Sequence, residues 1–312
     1  MSSIVNSSII RIVFKELIFV CRDGSIRKIK FTENIHIFRC PICKTNMYIY
    51  DSKDIACLEG HCFNIARKGY VNFLLKSIDT DYDREMFYSR NIVYKNGFFT
   101  PMLEDISGLI VEKLGSGLDG ANILDAGCGE GSHMGHIIDS LKSNTDSTLK
   151  GVGVDISKEG ILLASKNYFD IIWCVADLAN LPFMDSQFDV ILNILSPANY
   201  EEFNRTLKDD GILIKVIPGN SYLKELRDIF YDGTEKEVYS NDEVIEHCSK
   251  NLKILDIREV SYDKKIGEEE LVYLINMTPL SWTVTDAKIA QAFKAKIDNI
   301  SANFTIIVGE RA

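Results

Sequence analysis

Strands alternating with helices from residue 121 onward predict a doubly wound α/β domain, preceded by a small cysteine-bearing module. Two observations carry this prediction. Short apolar runs recur at 123–125, 149–154, 171–176, 188–195 and 211–217, separated by helical or turn-forming stretches. The first run ends in a glycine-rich turn that opens a helix, the edge where open α/β sheets take their ligands.

The N-terminal residues 1–37 read as an extension built of strands. Runs at 17–21 and 26–31 flank Asp23-Gly24, a hairpin turn signal. Residues 38–78 carry most of the cysteines in short segments, and 79–120 form a helical linker. Its first helix ends near Lys95; its second spans 101–114, with Pro101 in the first turn where a missing N–H is harmless. The domain proper is 121–312. Helices are expected at 133–141, 158–167 and 201–207. The run at 188–195 is almost wholly apolar, as a strand covered on both faces must be. Near the end, 270–276 and 304–308 read as strands around a helix at 287–297.

The chain has 312 residues, room for one large and one small domain. No apolar run approaches the roughly 18 residues of a membrane span. Residues 9–20 are broken by Arg11, Lys15 and Glu16 and lack a cleavage pattern, so the expected setting is cytoplasmic, away from membranes. Eight cysteines there imply reduced thiols or a metal site. The net charge of −10 is uneven. Residues 1–78 hold 12 basic and 6 acidic side chains; the remainder holds 23 and 39. A polyanion would therefore dock first on the N-terminal part.

The turn reads Asp125-Ala126-Gly127-Cys128-Gly129-Glu130-Gly131. Its glycine spacing differs from the dinucleotide fingerprint, whose third glycine comes one residue later. Asp125 and Glu130 favour a ligand ammonium and repel a diphosphate. Asp155 ends the second strand, where its carboxylate can accept both hydroxyls of a ribose. Asp177, followed by Leu178, ends the third and can receive an adenine amino group. Three acidic strand ends in register with the turn point to S-adenosylmethionine and hence to a Rossmann-like class I methyltransferase domain. Cys128 has no paired base and reads as packing beneath the turn.

Cys40 and Cys43 are followed by Cys57 and His61, two short-spaced pairs that fit tetrahedral, structural Zn2+. Cys62 is the alternative to His61, but adjacent side chains point apart. Cys21, Cys174 and Cys248 lack partners at metal spacing and read as packing. His133 and His136, one turn apart, read as residues of a helix surface or edge.

Together these residues resemble the RlmA-type 23S rRNA (guanine-N1) methyltransferases. The resemblance runs through 38–43, Cys57 to His61, 63–75, Glu85-Met86, Arg90, 97–101, 123–131, Leu181-Pro182-Phe183, Ser196-Pro197, Pro218-Gly219 and 277–282. It covers about 38–312, and residues 1–37 precede it, free to join the zinc module or a homodimer interface. The resemblance implies zinc ligation by Cys40, Cys43, Cys57 and His61, and cofactor contacts at Gly129 and Glu130. It also sets Phe99 and Tyr222 beside the cofactor, where a family member carries Tyr and His. The implied partner is 23S rRNA, the implied reaction methylation of N1 of a guanine in a domain II hairpin loop, and in some members the product contributes to resistance to macrolides such as tylosin.

The loop after the fourth strand, 193–199, holds no carboxylate, so its residues offer no evident base for the N1 proton. Lys44, Lys53, Arg67 and Lys68 are candidate phosphate contacts. Two rivals stand beside this reading: a small-molecule methyltransferase with a zinc lid, and an RNA-binding protein without catalysis. Cofactor binding discriminates the second, and the state of the rRNA discriminates the first.

Overall fold

The computed structural model describes residues 25–312 apart from 52, 77, 79–81 and 235–238. Helix α1 (Ser25–Glu33) opens this region. The expected strand at 26–31 is thus corrected to a helix. Its alternating pattern misleads because Lys30 is itself buried: its Nζ donates to the carbonyls of Phe169 (3.0 Å) and Ile171, and Asn34 closes the helix end on Lys30 O at 2.8 Å. The run at 17–21 and its Asp23-Gly24 turn lie outside the described residues.

The cysteine module holds β1 (Met47–Tyr50), β2 (Asp54–Cys57) and β3 (Cys62–Asn64), an antiparallel three-stranded sheet. The strand β4 (Tyr70–Asn72) leaves that sheet and pairs in parallel with β7 (Ile172–Val175). The module therefore supplies an edge strand to the main domain.

That domain continues with helices α2 (Arg84–Lys95) and α3 (Thr100–Leu114), then β5 (Asn122–Ala126), α4 (Ser132–Asn144), β6 (Lys150–Asp155) and α5 (Lys158–Asn167). After β7 come β8 (Phe188–Ile194), α6 (Tyr200–Thr206), β9 (Leu207–Pro218), α7 (Lys224–Phe230), α8 (Asp242–Asn251), β10 (Leu252–Lys265), α9 (Glu268–Met277), α10 (Asp286–Lys294) and β11 (Asn299–Arg311). The eight strands stand in the order β10-β11-β9-β8-β5-β6-β7-β4. From β4 to β9 all pairings are parallel, and β11 runs antiparallel between β9 and β10. Chain order reverses on either side of β5, which opens a crevice at the carboxyl edge between β5 and β8.

The expected strand at 270–276 is a helix, α9. Glu268, Glu269 and Glu270 fill its first turn, where carboxylates meet the positive end of the helix dipole, and Glu270 Oε2 accepts the Gly267 N–H at 2.8 Å. Leu271, Leu274 and Ile275 then bury one helical face. The long edge strand β10 escaped the sequence reading because, beyond Leu252, it only alternates half-buried with exposed positions, and charged residues fall on both faces.

Two cores flank the sheet. One continues without a break from the module into the domain, through Ile55, Phe63 and Val71 to Val154, Cys174 and Phe183. Phe38 is its hinge. Its ring lies 6.1 Å from Phe31, 5.7 Å from Phe73 and 5.7 Å from Phe183, and it is fully buried. Around it, Arg39 N donates to Pro182 O at 3.0 Å and Met184 N to Ile37 O at 2.8 Å. Phe38→Ala is expected to lower stability by about 3–5 kcal/mol, the range for truncating a buried phenylalanine. Urea unfolding would read it as a lower midpoint, whereas Tyr48→Ala on the exposed strand face should stay within about 0.5 kcal/mol.

Candidate cofactor site and metal centre

The glycine turn follows from its surroundings. Gly127, Gly129 and Gly131 all have positive φ. A Cβ on Gly127 would fall 1.8 Å from Ser196 Oγ, and one on Gly131 would fall 2.6 Å from the Trp173 ring. No side chain fits at either point, so the turn can lie tight against the Trp173 ring of β7 and the loop after β8.

Asp155, at the end of β6, holds the turn in place. Its Oδ2 accepts the Gly129 N–H at 2.8 Å and its Oδ1 the Ser157 N–H at 2.7 Å. Each oxygen keeps a further lone pair, enough for two ribose hydroxyls. Asp177 follows β7, and its Oδ1 accepts the Ala179 N–H at 2.9 Å; Leu178 beside it reaches toward Gly127.

Asp125 and Glu130 divide the work differently from the sequence expectation. Glu130 is buried and both its oxygens serve Ser132, which donates its N–H at 2.9 Å and its hydroxyl at 2.6 Å. It starts helix α4 and does not stand open to a ligand ammonium. Asp125 is equally buried, and its Oδ1 has no hydrogen-bond partner. Burial, then the neighbouring Asp155 and Glu130, push its carboxyl up to about 8. An orphaned acidic oxygen at this corner fits the cationic amino acid end of S-adenosylmethionine.

Beside the turn opens a cavity of about 800 Å³ lined by Phe99, Arg90, His133, Ser196, Lys215 and Tyr222, among others. Phe99 and Tyr222 thus face it; the acidic strand ends and the turn glycines do not line it, and the turn meets it through Ser196 beside Gly127 and Arg90 beside Gly129. Phe99 stacks edge-on to His133 with centroids 4.7 Å apart, and Tyr222 packs on Phe304 at 5.2 Å. His133 is not a helix-surface residue. It lines the cavity, its Nε2 is buried without a partner, and burial followed by Arg90 and His136 pushes it down to about 3. His136 is the outward member, with Nε2 2.8 Å from Glu104 Oε1. Arg90 is the residue that sequence spacing missed. It projects from α2, and its Nη1 is 3.3 Å from where a Gly129 Cβ would stand. A cation on a linker helix has no local signature linking it to a turn 39 residues later.

The module gathers Cys40, Cys43, Cys57 and His61, whose ligand atoms all lie within 4.8 Å of one another. Cys43 Sγ is 3.5 Å from Cys57 Sγ, and His61 Nδ1 is 3.4 Å from Cys57 Sγ and 3.6 Å from Cys40 Sγ. Tetrahedral zinc with bonds of about 2.0–2.3 Å sets such edges at about 3.5–3.8 Å, so the group fits the ion. Cys62 is exposed, outside the cluster. The turns are local: Cys40 N donates to Thr45 O at 2.9 Å and Gly60 N to Cys57 O at 3.0 Å. Of the other thiols, Cys128, Cys174 and Cys248 are buried, and Cys21 lies outside the described residues.

Among the basic candidates, Lys44 is corrected. Its Nζ donates to Pro41 O at 3.0 Å and to Asn180 Oδ1, so it latches the module to the domain. Lys53, Arg67 and Lys68 are exposed on the module surface. Purified protein is expected to carry one zinc per chain by elemental analysis. Cys57→Ser should lose it and Cys62→Ser should keep it; equal loss from both would remove His61 from the ligand set.

Two family profiles match this chain: residues 123–211 match one described as a methyltransferase domain, and residues 38–75 match the zinc ribbon described as the RlmA N-terminal region. YxjB of Bacillus subtilis strain 168, provisionally named a 23S rRNA (guanine-N1)-methyltransferase, is 39% identical over 282 residues, covering 90% of this chain and 99% of its own. The 23S rRNA (guanine(748)-N1)-methyltransferase of Streptomyces fradiae is 25% identical over 80% of this chain and 86% of its own. A Micromonospora griseorubida protein, provisionally named a 23S rRNA (guanine-N1)-methyltransferase, is 26% identical over 88% and 95%. The cofactors follow from the two matched regions and the gathered ligands: S-adenosylmethionine for the methyltransferase domain and structural zinc for the ribbon with its three cysteines and one histidine. With the ribbon and the glycine-turn region each matched, and a relative 39% identical over 90% of this chain and 99% of its own, the chain belongs to the RlmA-type 23S rRNA (guanine-N1) methyltransferase family.

Proposed function

We propose that this enzyme methylates N1 of a guanine in a hairpin loop of domain II of 23S rRNA, in the cytoplasm, and that the product contributes to macrolide resistance of the tylosin type. The observation that carries the reading is one chain combining a zinc ribbon with an aromatic-lined cavity beside the glycine turn. About 800 Å³ suits a small-molecule-sized group such as one unstacked nucleotide with the methionine end of the cofactor. Tyr82, Tyr231 and Tyr239 line it, and Tyr82 meets Trp282 edge-on at 5.3 Å, which supports stacking of a flipped base.

Bound S-adenosylmethionine supplies a sulfonium methyl for in-line transfer. The chain's part is to orient. Asp155 is suited to the ribose, Asp177 and Leu178 to the adenine, Asp125 to the ammonium, and Phe99 and Tyr222 to the flank facing the acceptor. A small-molecule acceptor with the ribbon as a lid is the rival, and the docked ribbon argues against it. A lid has to move, whereas β4 is a strand of the main sheet and Phe38 is buried in a shared core.

The test is mass mapping of the domain II hairpin in rRNA from cells with and without the gene. Loss of one methyl on a guanine is expected, with the guanine named for the Streptomyces relative and its neighbour read separately. Unchanged rRNA would exclude the reading. For the docking face, Arg67→Glu with Lys68→Glu should weaken binding of the rRNA fragment. It should also reduce the slope of log K against log salt by about one per lost phosphate contact, while cofactor binding by calorimetry stays constant.

A further inference from the structure

The loop after β8 brings no carboxylate to the acceptor, so the proton on guanine N1 needs another receiver. A buried amine stands beside that loop. Lys215 lies on β9 in register with Asn193 of β8 and is 5% exposed. Its Nζ donates to Asn193 Oδ1 at 2.5 Å and to the carbonyl oxygen of Ser196. Asn193 is fixed in turn, since its Nδ2 donates to Ala126 O at 2.7 Å and Pro197 O at 2.9 Å. A chain of bonds thus runs from the end of β5, under the glycine turn, to an amine held against the loop. Lys215 also lines the cavity.

Its surroundings favour the neutral form. On the sheet it is flanked by Asn193 and Ile307, neither titratable. The titratable groups nearby are Tyr200 on α6 and Cys248 and His247 on α8; Tyr200 Oη is 2.8 Å from Cys248 Sγ. Among the described residues no carboxylate lies within ion-pair distance of Nζ. An ammonium has three N–H groups for the two acceptors present. A neutral amine satisfies both and keeps a lone pair. Burial pushes the Lys215 ammonium down to about 8, the range in which lysine works as a base. Two histidines share the cavity. His133, pushed down to about 3, is too weak a base and packs on Phe99 beside the glycine turn; His247 stands on the exposed face of α8.

We propose that Lys215 is the general base that takes the N1 proton of the acceptor guanine, with Asn193 and the Ser196 carbonyl as its positioning groups. The inference rests on the acceptor assigned above. In the step, the N1–H bond breaks and its proton joins the Lys215 amine. The N1 electron pair forms the new N–CH3 bond as the C–S bond breaks, its electrons remaining on a neutral thioether sulfur. The ammonium of Lys215 then gives its proton to solvent.

The test pairs kinetics with direct titration. Single-turnover methylation of the rRNA fragment by the wild type should rise with pH through about 8 and level off as the amine becomes neutral. Lys215→Met should lose about a hundredfold to ten-thousandfold in rate and lose that limb of the profile. Its affinities for S-adenosylmethionine and RNA, by calorimetry, should hold within a few-fold, and added primary amines should restore rate to Lys215→Ala. In wild-type protein labelled with 13C-lysine, one Cε resonance, absent from Lys215→Met, should titrate near 8 without any substrate. If Lys215→Met fails to fold, the wild-type resonance decides, its assignment made with Lys215→Arg. A resonance that stays charged beyond pH 10 overturns the proposal. So does a Lys215→Met enzyme with the wild-type profile, or a rate loss that follows His247→Ala instead. A wild type that leaves the guanine unmodified sinks the assigned acceptor, and the titration still reports on the amine.

Discussion

Three carboxylates share one buried corner at the carboxyl edge of the sheet, and much of the site is arranged around that concentration of charge. Asp125, Glu130 and Asp155 are all held above the ordinary carboxylate range, by burial first. The fold tolerates them by giving two of the three full sets of N–H and O–H donors. Asp155 takes the Gly129 and Ser157 amides, and Glu130 takes Ser132 twice. Asp125 is left with an open oxygen. Arg90, from outside the sheet, adds a positive charge that favours the ionised Glu130 and Asp155. An open acidic oxygen at such a corner suits a cation, and the donor's ammonium qualifies. The acidic cluster is therefore a selectivity device as well as a set of hydrogen-bond acceptors, because a diphosphate brought to the same turn would meet the Asp155 carboxylate and the open Asp125 oxygen.

The ribbon depends on the same sheet from its other end. So short a segment cannot bury a core of its own, and two sources of order replace it: the metal cluster and the continuous apolar layer through Phe38. Because β4 pairs with β7, the ribbon sits at a fixed distance and angle from Asp177 and Leu178, which follow directly on β7. A rigid joint of this kind sets the separation between the exposed basic residues Lys53, Arg67 and Lys68 and the cavity; under the proposed function it would turn recognition of an RNA shape into presentation of one base.

Much of this was legible in the residues, and the rest was not for physical reasons. The glycine turn, the acidic strand ends and the four soft ligands are local patterns whose chemistry is tied to spacing, so they could be read directly. Lys30 and the segment around it were misread as strand because a lysine that hydrogen-bonds two carbonyls in the interior looks in sequence like any solvated lysine. The helix at 268–277 was misread because its apolar face, Leu271, Leu274 and Ile275, follows three glutamates whose meaning is a helix start only if the preceding glycine is a cap. Lys44 has the composition of a phosphate contact and the geometry of a latch. Arg90 and His133 could not be placed because their partners lie on other elements; only the packing of α2 and α4 against the turn brings them together.

The same limit hid the base. A carboxylate in the loop after β8 is what a reader of sequence looks for, and its absence leaves the reaction without a proton acceptor. Physical chemistry makes the absence sensible. A carboxylate facing the sulfonium would attract it before reaction, and that attraction disappears as the methyl leaves and the sulfur becomes neutral. It would stabilise the ground state more than the transition state. A neutral amine has no such attraction to surrender. The positive charge that leaves sulfur reappears, as a proton, on nitrogen, and the net charge of the buried site stays the same through the step. Separating the acids around the glycine turn from the amine on β9 lets each be tuned by burial without neutralising the other. Such an arrangement requires an uncharged lysine inside a sheet; among the described residues Lys30 is also buried, and what sets Lys215 apart is that it lines the cavity.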